Sequence, residues 1–216
     1  MNTLDELFEE QLKDLYNAEK QLTKALPAMA RKASTGSLKA AFTDHLQETQ
    51  QQVARLEQIG ESLGISLIGK VCKAMQRLIE EGKEVIQEDG DGLVLDAALI
   101  AAAQRVEHYE ISAYGSVCAL AERLGHADAV TMLQETLDEE SAADEKLNTI
   151  SLEEILPEGP CDESDEPDEL DESDEPDESD DSDEEDDEEE GEEPEDSRQE
   201  GVPVPAQKKR PLAKTK

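Results

Sequence analysis

Aromatic residues are almost missing from this 216-residue chain, which has no tryptophan, three tyrosines and two phenylalanines. Cysteine is scarce too. Cys72, Cys118 and Cys161 are too few and too scattered for a disulfide framework, and no Cys-x-x-Cys occurs, so reduced thiols are expected. The opening Met1-Asn2-Thr3-Leu4-Asp5-Glu6 lacks the basic start and apolar run of a secretory signal, and a cytoplasmic protein is the expectation. No stretch is suited to a membrane. The most apolar one, Leu93 to Ala103, is about half the required length and carries Asp96. Basic residues are the other shortage: 20 Lys+Arg stand against 57 Asp+Glu, a formal net charge of −37, which argues against direct binding to a nucleic-acid backbone.

The acidic excess is not spread evenly. Residues 1–152 hold 27 acids and 14 Lys+Arg, whereas residues 153–216 hold 30 acids and 6 Lys+Arg. The second stretch has too little Leu, Ile, Val and Phe to offset its ordering entropy, and its like charges repel. Within it, DESDEPDEL at 162–170 is followed by DESDEPDES at 171–179, a low-complexity repeat with at most one apolar residue per unit. It ends in the basic KKRPLAKTK. The sequence therefore predicts a folded domain over residues 1–157 and a disordered acidic tail over 158–216. A chain of about 150 residues is long enough for one domain with a single core.

Helical spacing runs through the first part. Thr3 and Glu6 make a capping-box pattern ahead of Leu4, Phe8, Leu12, Leu15, Leu22 and Leu26, with Pro27 expected to kink this helix rather than end it. A second helix is predicted from about Ser37 to Leu63, with Gly64 just past its end. Residues 70–87 form a shorter amphipathic segment whose Cys72, Met75 and Ile79 suggest an exposed contact face. After the Asp89-Gly90-Asp91-Gly92 turn, a third long helix covers Leu93 to Leu124 and a fourth covers Asp128 to about Ile150, with one last turn before Pro157. No strand is needed. The prediction is an all-α antiparallel four-helix bundle with one extra short helix after the second.

The chemistry lies in ionisable residues at positions that the helical period assigns to the core. Glu19 falls on the face of Leu12, Leu15, Leu22 and Leu26. On the second helix His45, Glu48 and Gln52 can point to one side, and on the third Glu107, Glu110 and Tyr114 form a line. The fourth offers Glu140 and Asp144, with Glu139 as a rival one position round. Several buried anions without cations would cost many kcal/mol, and only Arg55 and Arg105 lie near in sequence. A pair of bound divalent cations would relieve the repulsion. Carboxylates with an imidazole suit iron or manganese.

These residues also carry a resemblance. Asp14-Leu15-Tyr16-Asn17-Ala18-Glu19-Lys20-Gln21-Leu22, His45-Leu46-Gln47-Glu48-Thr49, Cys72-Lys73-Ala74-Met75, Ala103 through Gly115 and Leu137 through Leu147 resemble the YciE/YciF ferritin-like family over roughly residues 3–150. What the resemblance implies is a rubrerythrin-like four-helix bundle, often a homodimer, with a di-iron site and a ferroxidase-like role in bacterial stress. The sequence departs from the wider ferritin-like pattern in having no Glu-x-x-His.

Two functions from different classes follow. In the first, two iron or manganese ions are held by Glu19, Glu48, Glu107, Glu110, Glu140 and Asp144. His45, Gln52, Glu139 and Tyr114 are ligands or hydrogen-bonding neighbours of ligands, and ferrous iron is oxidised by oxygen or peroxide. In the second, the bundle is a non-enzymatic dimer scaffold and the acidic tail binds basic proteins or cations.

Overall fold

The computed structural model describes residues 1–156, which form five helices closed by one wide turn. In chain order these are α1 (Leu4–Lys32), α2 (Gly36–Leu63), α3 (Lys73–Gln87), α4 (Gly92–Leu124) and α5 (Ala127–Ile150), with a π-helical turn at Ser151–Ile155. The acidic repeats and the basic end lie outside the described residues, as does the expected disorder of 158–216. Among the described residues no helix is long and apolar enough to cross a membrane.

The helix ends follow from local chemistry. Thr3 Oγ1 accepts the Glu6 N–H at 3.1 Å, and the Glu6 carboxylate in turn accepts the Asn2 N–H. Pro27 sits inside α1 without ending it. Gly64 and Gly125, at φ +68° and +78°, take up the left-handed conformation that closes α2 and α4. The Ile65 and His126 N–H groups then bond back to the carbonyls of Gly60 and Ala121. Asp91 caps α4 by accepting from the Leu93 and Val94 N–H groups.

The connections α1–α2 and α4–α5 are short, so each pair is an antiparallel hairpin. Side-chain pairs fix the rest. Asp44–Lys146, Gln52–Glu139 and Arg55–Glu135 set α2 antiparallel to α5. The α1–α2 corner meets the start of α4 through Ser34 and Asp96, while Tyr114 further along α4 meets Glu19 at mid-α1, so these helices are antiparallel too. α2 and α4 therefore run the same way, and the chain crosses between them by way of α3, which packs on α1 and α4.

The expected contact face on the short segment requires correction. Cys72 and Met75 are buried and Ile79 is half-buried, because these side chains point into the groove between α1 and α4. Cys72 caps α3, its sulfur accepting from the Met75 N–H.

The core is in two apolar layers. One holds Leu22, Leu26, Leu38, Phe42, Leu99 and Val106, and the other holds Phe8, Leu12, Leu15, Leu56, Tyr114 and Leu133. Between them every long helix contributes buried polar side chains: Glu19 from α1, His45, Thr49 and Gln52 from α2, Glu107 and Glu110 from α4, Thr136 and Glu140 from α5.

Candidate metal centre

Each helix reaches this layer for the same reason. The stripe that supplies its leucines passes through the middle of the bundle, and there the stripe carries an acid or an imidazole instead. His45, Glu107, Glu110 and Glu140 each offer a ligand atom within 4.8 Å of the others, all four buried, a group that can hold a metal ion. His45 Nε2 stands 3.5 Å from Glu107 Oε1 and 3.8 Å from Glu140 Oε2.

What marks the cluster is the lack of partners. Both oxygens of Glu110, both of Glu140, Glu107 Oε2 and His45 Nε2 are buried without a hydrogen bond, as are Glu19 Oε2 and Gln52 Oε1 beside them. Buried polar groups in folded proteins are nearly all satisfied, and an unsatisfied one costs about 1–3 kcal/mol. A set of eight in one layer, all able to donate electron pairs to a cation, fits a metal centre with oxygen and nitrogen ligands. That donor set suits iron or manganese.

The electrostatics agree with the geometry. Burial, with Glu19 and Glu140 close by, pushes the Glu110 carboxyl well above the usual range. Glu107 is raised in the same direction, burial again outweighing the attraction of His45. Glu140 and Glu19 are each raised to about 7, chiefly by burial. His45 is raised as well: burial disfavours its charge, but Glu107, Glu48, Glu140 and Glu19 together outweigh burial and lift it to about 10. Without a metal, burial and mutual repulsion favour protonated carboxyls in this layer. A bound dication would take the place of those protons.

A family model described as a domain of unknown function, DUF892, matches residues 3–158. The chain belongs to that family. Protein YciF of Escherichia coli (strain K12) is 47% identical over 156 residues, which is 72% of this chain and 94% of that protein. The crystal structure of the E. coli stress protein YciF matches with a TM-score of 0.68 and 48% identity, covering 70% of this chain and 96% of that one. YcfI from Rhodopseudomonas palustris matches equally well, at TM-score 0.68 and 47% identity over 70% of this chain and 97% of that one. A protein from Xanthomonas campestris, 22% identical at TM-score 0.56 over 68% of this chain and 90% of that one, shares the fold.

In this DUF892 chain the residues singled out from the sequence fall into three positions. His45, Glu107, Glu110 and Glu140 come together, and Glu19 joins their edge. There Tyr114 donates to Glu19 Oε1 at 2.5 Å, and Tyr114 is fully buried. Gln52 is also inside, its amide donating to Glu139 Oε2 at 3.1 Å. Glu139 itself is held in a two-pronged ion pair by Arg55, both contacts at 2.6 Å, so its carboxylate is already neutralised.

Two candidates are not brought in. The Glu48 side chain is 45% exposed and lies beside His45 Nδ1 at 3.4 Å, a contact that holds its own carboxyl below the usual range. Asp144, one turn beyond Glu140 and with a shorter side chain, reaches Gln104 and His108 instead of the cluster. Arg105, the other nearby arginine in sequence, points outward toward Glu81 at 3.9 Å and does nothing for the buried acids.

Sequence reasoning missed two polar contacts. Asp96, a lone acid in an apolar run, ties the α1–α2 corner to α4. The phenol of Tyr109 donates to Asp14 at 2.6 Å and touches the Cys72 sulfur at 2.9 Å, bridging α1, α3 and α4. The signal for Asp96 was its place among Leu93, Leu95, Leu99 and Ile100. No pattern pointed to Tyr109, whose partners lie far off in sequence.

Proposed function

We propose that this protein is a ferritin-like di-metal protein that oxidises ferrous iron, or turns over manganese, at the expense of oxygen or peroxide. The single observation that carries this reading is the set of buried, unpartnered donor atoms drawn from all four long helices. His45, Glu107, Glu110 and Glu140 would hold one ion. Glu19 and Gln52, together with the remaining oxygens of Glu110 and Glu140, would hold the second. Iron or manganese bound there supplies one-electron redox chemistry that the amino acids lack.

The chain's own groups have definable tasks. Glu48 accepts at His45 Nδ1, which orients the ring so that Nε2 faces Glu107 and Glu140. Tyr114 donates its proton to Glu19 Oε1 and so leaves Oε2 as the free donor atom. Arg55 cancels Glu139, keeping a further negative charge from adding to a layer that already holds four acids. The apolar layers above and below exclude water.

The reading extends the family resemblance to a cytoplasmic homodimer acting in the bacterial stress response. Ferrous oxidation kinetics in air test its chemical part. The wild-type chain should oxidise iron faster than buffer, and the double variant Glu19→Gln, Glu107→Gln should fall to the buffer rate. Equal rates for the two proteins would refute it.

A further inference from the structure

A cleft of about 150 Å³ runs between α2 and α5 and reaches His45 and Glu107 at its inner end. Its walls are Ala41, Phe42, Ala142, Ala143 and Leu147, none of which can bind a metal. The three charged groups along it are already engaged: Glu48 with His45, Glu139 with Arg55, and Lys146 with Asp44 at 3.1 Å. Short of Glu107 at the inner end, no unpaired charge is left along the walls to recruit an ion, and apolar walls penalise a hydrated one. The space suits a neutral molecule with an apolar body, since a cavity near this size with apolar walls takes a guest about as large as benzene. At the inner end the guest would lie against His45 and Glu107, two members of the buried cluster.

We infer that the cleft is a binding site for a short-chain alkyl hydroperoxide, with its alkyl body against Ala41, Phe42 and Leu147 and its oxygens at His45 and Glu107. The inference rests on the di-metal reading for its chemistry. One hydroperoxide, two protons and two electrons from two ferrous ions give one alcohol, one water and two ferric ions. The O–O bond breaks, and iron is the species oxidised.

Binding is tested apart from iron. Metal-free full chain is titrated with tert-butanol, the inert product counterpart of tert-butyl hydroperoxide, while the methyl resonances of Ala41, Ala142, Ala143 and Leu147 are followed. Saturable shifts confined to these methyls are expected, and they should be lost in Ala143→Leu. Ala142→Leu fills the same wall from an exposed position and should give the same loss without touching the core. Absent shifts, or shifts unchanged in both variants, would overturn the inference. In a second arm, ferrous-loaded chain should form one tert-butanol for every two ferrous ions oxidised, at least tenfold more slowly in Ala142→Leu. Equal rates would overturn the assignment of the hydroperoxide. Failure of the metal reading alone would show as absent ferrous binding with the cleft shifts intact.

Discussion

Asp96 and Glu110 are both fully buried carboxylates on α4, and they lead opposite lives. Asp96, at the end of the bundle, accepts from the Ser34 N–H at 2.8 Å, the Ser34 hydroxyl at 2.9 Å and the Thr35 N–H at 2.8 Å. Burial works against its charge, but those donors outweigh burial and hold it below the usual range. Glu110, at the centre, has no partner on either oxygen, and burial together with Glu19, Glu140 and Glu107 drives it upward. The lesson is that burial of an acid does not reveal its purpose. The supply of donors does: a carboxylate with a full set belongs to the fold, and a group of carboxylates with none is open to a ligand.

The contrast can be broken most forcefully at Asp96. Replacing Asp96→Ala strands three donors at the corner that starts α2 and should cost about 3 kcal/mol in urea unfolding. A loss under about 1 kcal/mol would mean that water replaces the carboxylate.

The next effect separates the two kinds of acid by pH. In the metal-free chain Glu19 and Glu140 titrate near 7, above the ordinary 4.5 that they regain on unfolding. Their contribution is fully present below about pH 4.5 and is lost as pH rises through 7. His45, raised from 6.5 to about 10, has the same sign over a more alkaline window. Asp96 has the opposite sign and loses its contribution only as acid protonates it below its ordinary 3.8. Metal-free protein should therefore be most stable near pH 5 and weaken by roughly 2 kcal/mol toward pH 8, as chemical unfolding across that range would reveal. A rise in stability over the same interval would contradict the assignment.

Smaller still is the reverse substitution. Glu110→Leu replaces an unpartnered acid by an apolar group of similar volume and should stabilise the metal-free chain by about 1 kcal/mol. Destabilisation of similar size would show that Glu110, like Asp96, has structural donors. Last comes Arg55→Met, which frees Glu139 next to the cluster and should cost about 1 kcal/mol in the metal-free state, read from the shift in urea midpoint.

Much of this was legible in the sequence, because a bundle writes its packing at a regular spacing. The leucines of α1, the left-handed glycines after α2 and α4, and the Asp91 cap each sit where the helical period and local chemistry require. The same period put Glu19, Glu107, Glu110 and Glu140 indoors. It could not separate Glu48 and Asp144 from them, since a helical face is wide enough to include residues at its edge and only neighbouring helices decide which edge is covered. Asp96 and Tyr109 were illegible as contacts for another reason: their partners, Ser34 and Asp14, lie across long separations that no local spacing encodes.

Metal content of the full chain after anaerobic loading with ferrous iron tests the central claim most directly. Carboxylate-rich sequence such as residues 162–196 attracts cations without specificity, so the quantity to measure by elemental mass spectrometry is the difference between wild type and the double variant Glu107→Gln, Glu110→Gln, which shares that sequence. A difference of about two ions per chain, with both proteins folded, is the predicted result. No difference would show that the buried acids keep their protons and that the centre of the bundle binds nothing.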